Sequence, residues 1–303
     1  MRFISKKDIK LPKRKKYSKK GDNGRILVVG GSKYYIGAVA LAGLAALRSG
    51  ADWVTVAAPE KVAWAVNCLS PDLVTVKLKG DNFSARHAKE IINLSKKHDV
   101  VLIGNGIGLM KETKQFLKKI IKKLDNFKVV DADGIKVLSS SDLESSIITP
   151  HTKELEIFMR NSKINKNMIK KITSEEHIER KALMIRKAIE LLGIKNNNGK
   201  NFFENNNIIL LKGPVDAIIS KDDVLLTKGG NPGMAKAGTG DILAGLCAGF
   251  LGQSKELLKS AVNASYFNKI IGDILLKKKR GFTYLASDMV KEIKRVLTKE
   301  KLD

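Results

Sequence analysis

The sequence is poor in the residues that build metal and disulfide sites. Its 303 residues include only two cysteines and four histidines, and no Cys-x-x-Cys pair occurs. Cys68 and Cys247 lie far apart, each among apolar residues. These counts argue against a zinc site. We predict that both cysteines are reduced and lie in the core, as is typical of a cytoplasmic protein.

Long apolar runs are also missing. No stretch of about 18 uninterrupted apolar residues occurs, so we predict neither a transmembrane helix nor a membrane partner. Residues 1–24 are basic and lack the apolar segment of a secretory signal. We interpret them as a basic N-terminal arm, followed by a single domain over residues 25–303 and a cytoplasmic location.

Acidic residues are scarce relative to basic ones. Asp and Glu number 31 against 56 Lys and Arg, which gives a net charge of +25. Nucleic-acid binding, anionic small-molecule ligands and a solvated lysine surface would each explain this excess. Aromatic residues form only 6% of the chain and do not interleave with the basic runs. We therefore predict no nucleic-acid partner and an exposed lysine surface or anionic ligands.

Apolar runs alternate with helical patterns along the chain. A strand over 25–30, a small-residue helix over 36–50 and a strand over 53–59 form a β-α-β unit. The polar segments 161–176 and 193–207 are interpreted as surface loops. Further strands are predicted at 99–108, 128–134, 146–151 and 207–213, a hairpin at 215–230, and helices at 111–124, after Asp241, at 255–276 and at 287–299. The alternation predicts one doubly wound, mostly parallel α/β sheet.

Glycine or polar residues follow five of these strands. Such sheets bind ligands at the carboxyl ends of their strands, so we expect a site there. The glycine loop over 30–39 lacks the Lys-Ser or Lys-Thr of a nucleotide-binding P-loop. The loop over 104–109 lacks the third glycine of the dinucleotide fingerprint. Neither loop supports a Rossmann dehydrogenase.

The segment "NPGMAKAGTGDILAGLCAG" over 231–249 differs from these loops. Its backbone N–H groups, at the start of a helix, predict an anion hole for a transferring phosphoryl group, built from Gly238, Thr239 and Gly240. Asp241 could then act as the base towards a hydroxyl beside that phosphate. Alternatively, Asp241 is a plain first-turn acid that stabilises its helix by roughly 0.3–1 kcal/mol.

This segment closely resembles the signature of the NAD(P)H-hydrate dehydratases, members of the ribokinase-like superfamily. Five other segments resemble family motifs in the same order: "LVVGGSKYYIGAVALAGLAALRSGADWVTVAAP", "IGNGIG", "DADGIKVL", "ITPHTKEL" and "LLKGPVDAII". Together they span residues from about 25 to 290. The resemblance implies a three-layer α/β/α fold with a mostly parallel central sheet flanked by helices, and a homo-oligomer.

The resemblance also implies an activity. Such enzymes use ATP or ADP to phosphorylate the ring hydroxyl of hydrated NADH or NADPH, and loss of phosphate then restores the double bond. Asp241 would deprotonate the hydroxyl, and Mg²⁺ would bridge the phosphates. The alternative is a kinase of the same superfamily that acts on a small alcohol such as a vitamin precursor.

Further site residues follow from the same resemblance. The hydrated dinucleotide would contact Ala38, Gly106, His151 and Asp241. Glu154 is a weak candidate for organising Mg²⁺, or else a simple first-turn acid. The nucleotide would contact Lys212, Gly213, Pro214, Val215, Asp216 and Gly240.

Four positions depart from the family pattern. Asn105 replaces a proline, and Gly134-Ile135 replaces Ala-Leu. Asp216 stands where the nucleotide loop often has threonine, and a carboxylate near phosphates is unfavourable unless it faces away or meets Mg²⁺. Many proteins of the family also carry an N-terminal epimerase domain. We expect none here, because the resemblance starts at about residue 25.

Overall fold

The computed structural model describes residues 1–279 and 281–299, which build one ten-stranded sheet. The sheet order is β1-β10-β9-β8-β7-β6-β5-β2-β3-β4. All strands run in one direction except β9, which is antiparallel to β8 and β10. The strands are β1 (Arg2–Phe3), β2 (Arg25–Val29), β3 (Trp53–Pro59), β4 (Val74–Leu78), β5 (Val100–Ile103), β6 (Phe127–Val130), β7 (Ser146–Ile148), β8 (Ile208–Leu211), β9 (Asp216–Ile219) and β10 (Val224–Thr227).

Helices cover both faces of the sheet within the described residues, which confirms the predicted three-layer α/β/α architecture. One face carries α1 (Ile36–Arg48), α2 (Glu60–Leu69), α9 (Thr239–Ser254), α10 (Leu257–Lys278) and α11 (Ala286–Lys299). The other carries α3 (Ala88–Ser95), α4 (Lys111–Ile121), α5 (Asp133–Val137), α6 (Thr152–Asn161), α7 (Lys166–Ser174) and α8 (Ile178–Leu192). No helix in the described parts of the chain is both long and apolar enough to span a bilayer.

The central strands lack polar alternation because each of their faces is covered. In β2, Ile26 and Val28 belong to the core on one face, whereas Leu27 and Val29 belong to the core on the other. All four side chains are fully buried. A continuous apolar run is therefore what a parallel strand between two helix layers requires.

Helix α9 is apolar on all sides because it lies in the centre of its layer, against α1 and α10. Its residues from Ile242 to Gly252 are all buried. A Cβ on Gly245 would clash with the carbonyl oxygen of Ala42 in α1, so glycine there permits close approach of the two helices. This packing fixes the start of α9 against the edge of the sheet.

The first 24 residues lie against the domain. The short strand β1 pairs in parallel with β10, and Ile4 N–H donates to the Leu226 carbonyl at 2.7 Å. Further along, the Asn263 side chain donates to the Lys10 carbonyl at 3.0 Å. The first contact adds a strand to the sheet, and the second holds the N-terminal segment against α10. A domain boundary at residue 25 stays a prediction.

Three sequence interpretations were wrong. The segment 161–176 contains helix α7, whose Ile169 and Ile172 are buried at helical spacing among lysines. The segment 193–207 buries Phe202 and Phe203 against the core, so it is not a plain surface loop. Cys68 is exposed, whereas Cys247 is buried, and both are free. In each case the burial of these residues depends on tertiary packing, which local composition does not reveal.

Candidate functional site

Polar side chains meet where β5, β6, β7 and β8 end. These four strands are neighbours in the sheet, so their carboxyl ends lie side by side. The side chains that follow them are Asn105, Asp131, Thr149 and Lys212. The start of α9 adds Asp241, as the sequence predicted for a site at this edge.

Asp131 is the centre of this cluster and is only 2% exposed. Its Oδ1 accepts hydrogen bonds from Thr149 Oγ1 at 2.7 Å and from Lys212 Nζ at 2.9 Å. Its Oδ2 accepts from Asn105 Nδ2 at 2.9 Å. A Cβ on Gly104 would clash with the Asp131 carbonyl oxygen, so glycine lets the two strand ends approach each other.

Asp241 lies in the first turn of α9, behind Gly238. Gly238 caps the helix with φ +94°, a conformation that glycine adopts without strain. Asp241 Oδ1 accepts a hydrogen bond from Asn105 Nδ2 at 2.7 Å. Burial and the nearby Asp131 carboxylate raise the pKa of Asp241 to about 7, while the Asn105 hydrogen bond and Lys212 oppose this rise. Asp241 is therefore able to accept a proton near neutral pH.

The start of α9 combines free backbone N–H groups with a nearby lysine. Helix geometry leaves the first-turn N–H groups without acceptors inside the helix. Thr239 uses its N–H and hydroxyl within the preceding loop, on the Lys236 carbonyl at 3.3 and 2.9 Å. Lys212 Nζ lies 3.4 Å from where a Cβ on Gly240 would stand. The positive end of the helix and a lysine thus meet at the position of Gly240.

A cleft of about 750 Å³ opens beside this position. Its volume suits a ligand of nucleotide size. The residues that line it include five that the sequence assigned to nucleotide contacts, and Val215 is not among them. The five are Lys212, Gly213, Pro214, Asp216 and Gly240. The lining also includes Asn231 and Lys236, which precede α9.

Asp216 is compatible with an anionic ligand because its charge is already balanced. Its Oδ1 lies 3.1 Å from Lys269 Nζ and accepts from Gly213 N–H at 3.0 Å. Its Oδ2 accepts from Ser265 Oγ at 2.8 Å. The carboxylate is 2% exposed. Pairing with Lys269 therefore removes the apparent conflict between the Asp216 carboxylate and phosphates.

His151 and Glu154 form the N-terminal cap of α6. His151 Nδ1 accepts from the N–H of Lys153 at 3.1 Å and from that of Glu154 at 3.4 Å. Glu154 Oε2 accepts in return from His151 N–H at 3.1 Å. Burial lowers the pKa of His151. The imidazole lines the cleft.

Glu154 does not fit the role of ligand to a resident metal ion. Its carboxylate lies 3.6 Å from Lys212 Nζ and also caps its own helix. Across residues 1–279 and 281–299, no group of three His, Cys, Asp or Glu side chains is placed to hold a metal ion. The contacts of Glu154 instead assign it to the cap of α6 and to the surroundings of Lys212.

Ala38 and Gly106 lie together outside the 750 Å³ cleft. Gly106 has φ +61°, and a Cβ there would lie 2.6 Å from Tyr35 Cβ and 3.2 Å from Ala38 Cβ. Gly106 directly follows Asn105, whose amide touches Asp241. Asp241 therefore lies between the surface formed by Ala38 and Gly106 and the cleft that Lys212 lines.

Sequence reasoning missed two residues of the cluster as participants. Asn105 was noted at a strand end and as a departure from a proline, but no contact was predicted for its side chain, which bonds both Asp131 and Asp241. Lys269 lies on α10, far in sequence from every motif, and no local pattern marks it as the partner of Asp216. The position of Asn105 at a strand end was the one available signal.

The fold defines a ribokinase-like α/β protein. The chain superposes on a ribokinase-like superfamily protein from Enterococcus faecalis with a TM-score of 0.79 and 25% identity, covering 99% of this chain and 96% of that one. The family model described as NAD(P)H-hydrate dehydratase matches residues 26–295. The chain therefore belongs to the NAD(P)H-hydrate dehydratase family.

Two curated relatives support this membership. The chain is 36% identical to the bifunctional NAD(P)H-hydrate repair enzyme Nnr of Methanocaldococcus jannaschii, over 95% of this chain and 50% of that protein. It is 31% identical to the ADP-dependent (S)-NAD(P)H-hydrate dehydratase of Nitrosopumilus maritimus, over 95% of this chain and 93% of that protein. The chain spans about half the length of the first curated relatives it matches.

Proposed function

We propose that this chain dehydrates hydrated NADH or NADPH, with ADP or ATP as the phosphoryl donor. The observation that carries the proposal is the placement of Asp241. It is a partly buried carboxylate with a pKa of about 7, located at a helix N-terminus beside a cleft of nucleotide size. Family membership names the substrate class, and the relative from Nitrosopumilus maritimus is called ADP-dependent.

The proposed reaction has two steps. In the first, Asp241 accepts the proton of the ring hydroxyl while the hydroxyl oxygen attacks the terminal phosphoryl group of the nucleotide. The bond from that phosphorus to its bridging oxygen breaks, so ATP leaves as ADP, or ADP as AMP. In the second, the carbon–oxygen bond breaks and phosphate leaves with the bonding electrons. A proton leaves the neighbouring ring carbon, and the double bond returns. The hydroxyl oxygen ends in inorganic phosphate.

Other residues take supporting roles in this proposal. The backbone at Gly238 and Gly240 would receive the transferring phosphoryl group, with Lys212 beside it. The Thr239 N–H already donates to the Lys236 carbonyl. The remaining nucleotide contacts would come from Gly213, Pro214, Val215 and Asp216. Ala38, Gly106 and His151 would contact the hydrated dinucleotide, on the two surfaces that meet at Asp241. Because the acids of the described cluster are engaged by Lys212 and Asn105, any Mg²⁺ would arrive bound to the nucleotide phosphates.

The test is a nucleotide-swap assay. The protein is incubated with hydrated NADH and Mg²⁺, together with ATP, with ADP or with no nucleotide. We expect reduced-nicotinamide absorbance to rise with at least one nucleotide and to stay flat without any. Absence of a rise with either nucleotide would sink the proposal. Nucleotide consumption with a small alcohol in place of the hydrate would favour the kinase alternative.

A further inference from the structure

We propose that Asn105 is a positioning residue that ties the reactive carboxylate of Asp241 to the anchored carboxylate of Asp131. The reaction assigned to Asp241 rests on the proposed function. The tie itself is a property of the protein without substrate. Nothing in the family motif predicts it, since a proline stands at this position in the pattern that the sequence resembles.

The geometry uses both N–H bonds of a single amide. Asn105 Nδ2 donates to Asp131 Oδ2 at 2.9 Å and to Asp241 Oδ1 at 2.7 Å. Two carboxylates that face each other repel, and an NH₂ group is the neutral side-chain donor that can serve both at once. Asn105 is fully buried, so water does not compete for these bonds.

The other end of the same amide is left without a partner. Asn105 Oδ1 is buried and accepts no hydrogen bond from the described residues. Such an orphan acceptor lowers stability, and an apolar side chain of the same shape would avoid that loss. Flipping the amide would turn its carbonyl towards two carboxylates. The arrangement thus sacrifices stability to keep the donors on Asp131 and Asp241.

Asp131 is a suitable anchor because it is held from two other sides. Thr149 Oγ1 and Lys212 Nζ bind its Oδ1, from the ends of β7 and β8. Asn105 is fixed in turn through its backbone, whose carbonyl accepts from Gly31 N–H at 2.8 Å. One oxygen of Asp241 is therefore held, and its Oδ2 accepts no hydrogen bond from the described residues. That oxygen is free to meet a hydroxyl.

The charged groups that face Asp241 come from several elements. Asp131 follows β6, Lys212 follows β8, and Glu154 lies on α6. Both carboxylates raise the pKa of Asp241, whereas Lys212 and the Asn105 hydrogen bond lower it. Removing Asn105 leaves Asp131 and Glu154 in place. We therefore predict that Asp241 becomes harder to ionise when the amide is lost.

The experiment compares Asn105→Leu, which keeps the branching at Cγ but removes the amide, with Asn207→Ala as a control. Asn207 is another buried asparagine, and its side chain donates to the carbonyls of Leu143 and Phe202 just before β8 starts. The NMR signal of the Asp241 carboxyl carbon is followed across pH in the substrate-free protein. It is assigned as the signal that is missing in Asp241→Asn. We expect its midpoint to rise by about one to two pH units in Asn105→Leu and to stay unchanged in Asn207→Ala.

Kinetics supply a second readout on the same variants. We expect kcat in Asn105→Leu to fall about 10- to 100-fold at pH 7 and to recover partly at higher pH, with KM for the hydrated dinucleotide little changed. Asn105→Ala serves if the leucine variant does not fold. An unshifted Asp241 midpoint in a folded Asn105 variant, or an equal shift in Asn207→Ala, would overturn the proposal. Failure of the wild type to restore NADH would defeat the proposed function alone, since the NMR result does not depend on turnover.

Discussion

Asp241 is held in surroundings that oppose its charge. It forms no salt bridge with the described residues, and its hydrogen bond comes from a neutral amide. Lys212, the nearest cation of the cluster, is instead paired with Asp131 at 2.9 Å. A residue selected only to stabilise the helix start would be exposed and free to ionise. The burial of Asp241 fits a group that must both take up and release a proton.

This placement predicts a pH-dependent stability change in Asp241→Asn. The folded-state pKa lies above the ordinary value of 3.8, so the folded protein binds this proton more tightly than the unfolded chain. Stability from this group is present below pH 4 and is lost as the pH rises towards about 7. We therefore expect Asp241→Asn to be more stable than the wild type by about 2–4 kcal/mol at pH 8.

Denaturant unfolding at several pH values measures this difference, which should disappear towards pH 4. Asp52→Asn is the control. Hydrogen bonds from Asn23 and Gly21 lower the pKa of Asp52 against the effect of burial. Its replacement should therefore destabilise the protein at pH 8. A destabilised Asp241→Asn at pH 8 would contradict the surroundings assigned to this carboxylate.

At the scale of single residues, the sequence predicted the site residues that share one motif. It missed contacts between residues that are far apart in the sequence. Gly238, Thr239, Gly240 and Asp241 stand in one motif and were found together. The Asp216–Lys269 pair joins residues 53 positions apart, at 3.1 Å. A sequence pattern carries no signal for a contact between the first residue of β9 and the middle of α10. The effect of Asp216 on an anionic ligand could not be judged without its partner.

At the scale of secondary-structure elements, helices α1 and α9 set the position of the site. The site is built on the first turn of α9, and that turn is fixed by the close packing of the helix behind it. Gly245 faces the Ala42 carbonyl, and Gly249 faces Ser49 and Ala46. The sequence predicted both helices from their small residues. It did not predict that the glycines of α9 face α1.

Gly245→Ala should therefore destabilise the protein, although alanine is the better helix former. The added methyl group would have to push α9 away from the α1 backbone, at a cost of about 1–3 kcal/mol. Gly37→Ala in α1 is the matched control, since a Cβ there meets nothing within 4 Å. Thermal unfolding compares the two. Equal stability of Gly245→Ala and Gly37→Ala would show that the helices are not in tight contact.

Strands were predicted more reliably than short helices, for a physical reason. Buried parallel strands such as β2 and β5 form uninterrupted apolar runs that a sequence displays directly. Helix α7 has only two buried isoleucines among lysines and polar residues. An apolar pattern this short does not distinguish a helix from a polar loop. The strand predicted over 128–134 ends at Val130, because Ala132 turns the chain with φ +50°.

The whole molecule combines a strongly basic surface with an acidic centre. The net charge is +25, yet Asp131, Glu154 and Asp241 cluster at the carboxyl edge of the sheet. The lysines at 118, 119, 122 and 123 are exposed on α4 and just after it, as the sequence indicated. A basic exterior favours the approach of anionic ligands such as nucleotides and dinucleotides. Proton transfer at the carboxyl edge of the sheet then depends on how few cations lie close to the Asp241 carboxylate.

The central claim is that Asp241 takes the proton from the hydroxyl that is phosphorylated. The most direct measurement is turnover of hydrated NADH by wild type, Asp241→Asn and Asp52→Asn, with dinucleotide binding measured in parallel. We expect Asp241→Asn to bind the hydrated dinucleotide largely as wild type and to lose about 10²–10⁴ in kcat, while Asp52→Asn keeps its turnover. Near-normal turnover in Asp241→Asn would contradict this role.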